Sequence, residues 1–239
     1  MATGGIAVVG SVLAMLCLLL TAIWLGLLTT EMVMNRPPQT FQQAAARAAL
    51  LDWRYYATYI NAVLITFAVT AFYAVLYSYL KSSAPPWIVI GFVFLPVYTM
   101  LNLVVYLSQV TVVPWLLELR GDPVVGAFAD VLLQQVLQSL PTSGISFFNG
   151  LAYAILGIPS ILYGWILWPL RGPLRWGGLL LALNGVACIL GIIGLFTGNA
   201  LLSLGTVIGG VLFLPALFLL IRGLWSEQLT ARYERKAID

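Results

Sequence analysis

Apolar residues run almost unbroken through six stretches, at residues 6–28, 57–80, 88–108, 151–170, 179–196 and 201–220, while polar and charged residues collect between them. A helix crosses the hydrocarbon core of a bilayer in about 20 mostly apolar residues. Backbone polar groups in lipid must be bonded within their own segment, and the two-residue alternation of a barrel strand is missing, so the pattern predicts spanning helices. The fifth stretch is the shortest. The first has no Lys or Arg ahead of it and exceeds the apolar core of a signal peptide, so it is read as a retained helix.

Short connections at 81–87, 171–178 and 197–200 make the spans they join antiparallel neighbours. Two connections are long. In 31–56, Thr40 and Gln43 have the spacing of a capping box, so a helix is expected to begin there and run on into the second span. In 121–144, Val125, Phe128, Leu132, Val136 and Leu140 recur on one helical face, away from Asp130, Gln134 and Gln138. That is the pattern of an amphipathic helix lying in the interface, as a cover for the bundle's end or as a docking surface. The expected fold is therefore all-α: a polytopic membrane helix bundle of six transmembrane helices with two amphipathic outer-side segments, in one integral membrane domain over residues 1–239.

Composition agrees with this: 62% of residues are hydrophobic and 8% charged, far below the charge density of a soluble surface. Charge placement adds an orientation. Lys81, Arg171, Arg175, Arg222, Arg232, Arg235 and Lys236 fall on one side; Arg36, Arg47, Arg54 and Arg120 fall on the other, beside Glu31, Asp52, Glu118, Asp122 and Asp130. Cytoplasmic loops carry the excess of Lys and Arg, which places both termini in the cytoplasm. Trp87, Trp165, Trp168, Trp176 and Trp225 near one interface, and Trp24, Trp53, Tyr55, Tyr56 and Trp115 near the other, form the two expected aromatic belts. No basic stripe exists, so nucleic acid is not an expected partner.

Several chemistries lack their residues. Without histidine, imidazole cannot serve as a proton shuttle, zinc ligand or haem ligand. There is no P-loop, dinucleotide fingerprint, GxSxG or CxxC pattern, and the two lysines, Lys81 and Lys236, lie outside the apolar stretches. Cys17 and Cys188 lie inside spans, where cysteine behaves as a small hydrophobe. No Asp, Glu, Lys or Arg occupies the middle of a span, whereas proton- and ion-coupled carriers depend on such groups. The outer acids offer oxygen ligands or acid–base groups, but they match no binding loop, and Arg120 lies where it can pair with Glu118 or Asp122. They read as loop and helix-end charges. No enzyme activity, metal or cofactor is expected.

Uncharged polar residues are patterned. Tyr59, Thr66, Thr70, Tyr73 and Tyr77 share a face of the second span, Tyr98, Asn102, Tyr106 and Gln109 of the third, and Asn149, Tyr153, Ser160 and Tyr163 of the fourth. Such stripes face one another, either as interhelical hydrogen bonds or as a cavity. Asn102, Tyr106, Gln109, Asn149 and Tyr153 are the ligand-binding candidates. Gly10, Ala14, Cys17 and Thr21, and the pairs Gly194/Gly198 and Gly205/Gly209, form small-residue faces that seal the bundle or seat a partner's helix.

With its six spans, its outer amphipathic segments and the stretches Asn149-Gly150-Leu151-Ala152-Tyr153-Ala154-Ile155-Leu156-Gly157 and Asn184-Gly185-Val186-Ala187-Cys188-Ile189-Leu190-Gly191, the chain resembles a family of uncharacterised bacterial six-helix membrane proteins. The resemblance implies the architecture and no activity; the expected location is a bacterial inner membrane. Two roles suit these residues. The first is a non-catalytic accessory or scaffold subunit packing on partner membrane helices. The second is a carrier or binding protein for an uncharged or lipid-like small molecule. A membrane enzyme using the outer carboxylates and tyrosines ranks third.

Overall fold

The same long apolar runs that satisfy lipid also dictate the secondary structure. A computed structural model of the chain describes residues 2–34, 38 and 40–236. Among these residues there is no strand, and six helical stretches are long and apolar enough to cross a membrane: Gly5–Thr29, Trp53–Leu80, Pro86–Leu119, Gly144–Leu167, Gly172–Thr197 and Ala200–Ser226. Arg54, Glu118, Arg175 and Arg222 fall in the terminal turns of these stretches, where long side chains reach water. Arg36 and Pro37 lie outside the described residues, as do the side chains of Glu31, Arg232, Arg235 and Lys236.

The helices in chain order are α1 (Ala2–Met34), α2 (Phe41–Ala48), α3 (Trp53–Leu80), α4 (Val89–Leu119), α5 (Gly126–Val136), α6 (Gly144–Leu167), α7 (Gly172–Thr197), the single turn α8 (Ala200–Ser203) and α9 (Gly205–Lys236). Several outrun their apolar cores. Regular hydrogen bonding continues into polar flanks, so α4 extends past residue 108 to Leu119 and α6 starts at Gly144 rather than 151. The fifth span gains its first turns from the glycine-rich segment before residue 179.

By their contacts the residues fall into two compact units. One comprises Met1–Leu19, Phe67–Thr99 and Tyr153–Asp239; the other comprises Leu20–Thr66 and Met100–Ala152.

In the first unit, glycine sets the packing. A Cβ at Gly157 would lie 2.7 Å from the carbonyl oxygen of Gly185, and one at Gly178 would lie 2.9 Å from that of Gly164, so α6 and α7 meet backbone to backbone. On α7 and α9, a Cβ at Gly205 would strike the Ala187 carbonyl, and Gly209 meets Cys188 and Asn184. Because Gly209 leaves its carbonyl reachable, the buried Asn184 amide donates to it at 2.8 Å. Gly10 on α1 lies against Leu224 and Val75, with Ala14 and Cys17 buried beside it. These faces are packed within the chain. Gly198 is different: at φ 66° it is the left-handed cap that ends α7. Tyr73, Tyr163 and Phe213 form an aromatic core, and the Tyr73 hydroxyl lies 2.6 Å from Ser160 Oγ. Thr70 and Thr99 hydroxyls join α3 to α4 at 2.6 Å.

In the second unit, α2 starts where the sequence places it, with Thr40 accepting from the Gln43 N–H at 3.3 Å. It does not run on into α3. The helix stops at Ala48, Leu51 takes a positive φ of 40°, and Asp52 restarts the chain by accepting from the Tyr55 N–H at 2.9 Å. The short Ala44, Ala45 and Ala48 side chains let α2 pack closely on Val113 and Leu116 of α4 and on Ala129 and Leu133 of α5.

On α5 the buried face is Ala129 and Leu133, continued by Leu137 and Leu140 beyond its end, while Phe128 is 65% exposed and Val125 also faces outward. The expected face is met in part: Leu140 is buried and Leu132 and Val136 pack on the same core, but the buried face centres one residue further along, on Ala129 and Leu133. Arg120 pairs with Asp130 at 2.5 Å rather than with Glu118 or Asp122. Its nearer acid, Asp122, instead accepts from the N–H groups of Val124 and Val125 at the entry to α5.

Candidate ligand-binding cavity

The second unit holds a cavity of about 420 Å³. Its walls follow from the elements just described. Arg47 in the last turn of α2, Asp52 after the break and Arg54 in the first turn of α3 line the cavity. The first turns of α3 add Tyr55, Thr58 and Tyr59; Tyr55 and Tyr59 stand one helical turn apart with ring centroids at 4.9 Å. The later turns of α1 supply an apolar wall of Trp24, Leu27 and Leu28, and α4 supplies Tyr106 and Gln109. A cavity of this size, mostly apolar with a few polar groups, has the build of a small-molecule site.

Gln109 organises the polar wall. It is buried on α4, and its Nε2 donates to the Val136 carbonyl at 2.7 Å while its Oε1 accepts from the Gln138 N–H at 3.2 Å. One amide thereby satisfies two backbone groups where α5 ends. The Tyr55 hydroxyl donates to the Gln109 carbonyl at 2.7 Å, tying α3 to the same turn of α4. From the other direction, Ser146 Oγ donates to the carbonyls of Gln138 and Leu140 at 3.0 and 2.8 Å. Gln138, so held, lines the cavity, and its buried Oε1 has no hydrogen-bond partner among the described residues. An unmet buried acceptor costs about 1–3 kcal/mol, so a donor from a bound molecule would be favoured there.

The five candidates divide. Tyr106 and Gln109 line the cavity. Asn149 accepts from the Tyr106 hydroxyl at 3.2 Å and thereby holds the ring without lining the cavity. Asn102, near mid-length in α4, is fully buried, and neither of its amide atoms has a partner among the described residues. Tyr153 belongs to the first unit, where its ring lies 6.5 Å from that of Tyr98. Much of the remaining polar seam is interhelical hydrogen bonding, as at Tyr73 and Ser160; pairs of this kind contribute about 0.6 kcal/mol each on average.

Arg47, Arg54 and Gln138 were not among the candidates. A signal existed for the arginines, since they lie on the side where basic residues are scarcer. Trp24 and Tyr55, expected in an aromatic belt, also line the cavity. Among the described residues no cluster of three or more acidic or sulfur side chains is placed to hold a metal ion. No family model, curated protein or solved structure matches the chain.

Proposed function

We propose that this integral membrane protein binds a small lipid-like molecule, as a carrier or binding protein, and catalyses no reaction. The cavity carries the reading: apolar and aromatic side chains make most of its wall, and its charged residues are Arg47, Asp52 and Arg54 around the α2–α3 break. The outer carboxylates that an enzyme would need have structural tasks, Asp52 at the start of α3 and Asp130 beside Arg120. The asymmetry of Lys and Arg supports a cytoplasmic location for both termini and an outer location for the cavity. Under this reading its membrane is the bacterial inner membrane.

The test is extraction in a mild non-ionic detergent, followed by mass spectrometry of the small molecules released from the purified protein. One amphiphile per chain is expected, and it should be lost when Thr58→Phe fills the cavity. Protein that carries nothing and retains no added amphiphile would contradict the reading.

A second reading, an accessory subunit seated on a partner membrane protein, is favoured by the outward side of α5. Val124 is 86% exposed and Val131 57%, in line with Phe128. Cross-linking from Phe128 in native membranes should capture a defined protein under this reading, and lipid alone under the first.

A further inference from the structure

We propose that Arg171 and Arg175, with the indoles of Trp168 and Trp176, form a binding site for the phosphate of an acidic phospholipid. The site lies in the first unit, whereas every residue lining the cavity belongs to the second, so it goes beyond the function proposed above. Only its leaflet, the cytoplasmic one, rests on the orientation given there.

Residues 168–171 alone join α6 to α7. This tight connection and the first turn of α7 bring two arginines and two tryptophans together. The guanidinium carbon of Arg175 lies 4.5 Å from the centre of the Trp168 ring and 5.8 Å from that of Trp176. The two indoles stand edge to face, with centroids 6.2 Å apart. Stacking occupies the flat face of a guanidinium and does not neutralise its charge. The N–H groups project from its edge, in the fork that matches two phosphate oxygens. Neither arginine makes an ion pair or a side-chain hydrogen bond among the described residues, and all four side chains are exposed. Glu227, Glu234 and Asp239 have side chains outside the described residues.

Topology alone accounts for basic residues in this connection. It requires charge, but not a guanidinium held against two indoles. Tryptophan settles at the level of lipid head groups, so the stack fixes the Arg175 charge at the depth of the phosphates. Holding the side chain in place also removes part of the ordering cost of binding. From there an apolar track leads along the helix: Trp176, Leu183, Val186 and Leu190 are exposed at the spacing of one face of α7, where an acyl chain can lie. Charge selects the occupant, because the cytoplasmic leaflet carries the acidic lipids that complement the pair.

An exposed site exchanges its lipid with detergent, so it is read by titration rather than by what co-purifies. The titration uses the Thr58→Phe protein, whose cavity is filled, and native mass spectrometry in a non-ionic detergent. The probes are dioleoylphosphatidylglycerol, dioleoylphosphatidylcholine and inorganic phosphate. One phosphatidylglycerol should bind per chain, about tenfold more tightly than phosphatidylcholine, whose quaternary ammonium offsets the phosphate charge. Arg171→Gln and Arg175→Gln should each weaken it about tenfold, and Arg175→Lys, which keeps the charge without the fork, about threefold. Trp168→Leu leaves both charges and removes the ring that holds Arg175; it should weaken binding about threefold, whereas a merely diffuse attraction would not change. Arg120→Gln, in the second unit, should leave binding as it was. Thermal unfolding identifies any variant that misfolds, and Arg175→Lys keeps the test usable if Arg175→Gln is lost. Equal binding of the two phospholipids overturns the site, as does phosphatidylglycerol binding that survives both Arg175→Gln and Trp168→Leu. Binding of inorganic phosphate in place of the lipid assigns the arginines to a free anion and overturns the lipid occupant. The cavity is untouched by these outcomes, since its own ligand is read in protein that retains Thr58.

Discussion

The side chain of Gln109 grips the backbone of Gln138 and its neighbour Val136, accepting from one and donating to the other at 3.2 and 2.7 Å. A residue of a spanning helix thereby fixes where α5 ends and which side chains face the cavity. Gln109→Leu removes both bonds and strands two buried backbone groups. The expected cost is about 1–3 kcal/mol, read as a lower midpoint of thermal unfolding in detergent, with loss of the retained amphiphile.

Asn102 gives the opposite expectation. With both amide atoms buried and unpartnered among the described residues, Asn102→Leu exchanges a desolvated amide for an apolar group of similar size. Such replacements are close to neutral or stabilising, so the midpoint should hold or rise. A drop equivalent to about 1 kcal/mol or more would mean that a bound water or ligand group satisfies the amide.

Two tyrosines of the first unit form an internal control. The buried Tyr163 hydroxyl has no partner among the described residues, whereas that of Tyr73 meets Ser160. Tyr163→Phe should leave stability unchanged or raise it, and Tyr73→Phe should lower it by about 0.5–1.5 kcal/mol. Equal losses in parallel thermal melts would refute the distinction.

Glycines on α9 differ in the same way. A Cβ at Gly205 meets the Ala187 carbonyl and stands 2.7 Å from the Gly191 nitrogen, while one at Gly210 meets nothing within 4 Å. Gly205→Ala should destabilise by about 1–3 kcal/mol through overpacking; Gly210→Ala should be neutral or slightly stabilising. If both are tolerated alike, α7 and α9 are not in backbone contact.

The number of spans, the helical class and the peripheral position of the described charges were legible in the chain, because each is a local property. A run of apolar residues is long enough to cross lipid or it is not, and a charge far from either end of a run is costly wherever the run packs. The Thr40 cap was legible for the same reason, since its bond reaches only to Gln43.

Tertiary structure alone decided which apolar face meets protein and which polar groups meet each other. Helix α5 carries apolar residues on two sides, Ala129 and Leu133 on one and Phe128 and Val131 on the other, so the hydrophobic period alone does not mark its buried face, and Leu133 rather than Phe128 turned inward. Likewise the partner of Arg120 was Asp130, ten residues away, because α5 brings it there. The cavity depends on the break at Leu51 and on side chains from segments far apart in the chain, at residues 24–28, 38–59, 106–109 and 137–139. Helix rotation and long-range approach set those meetings, and neither is encoded in any single segment.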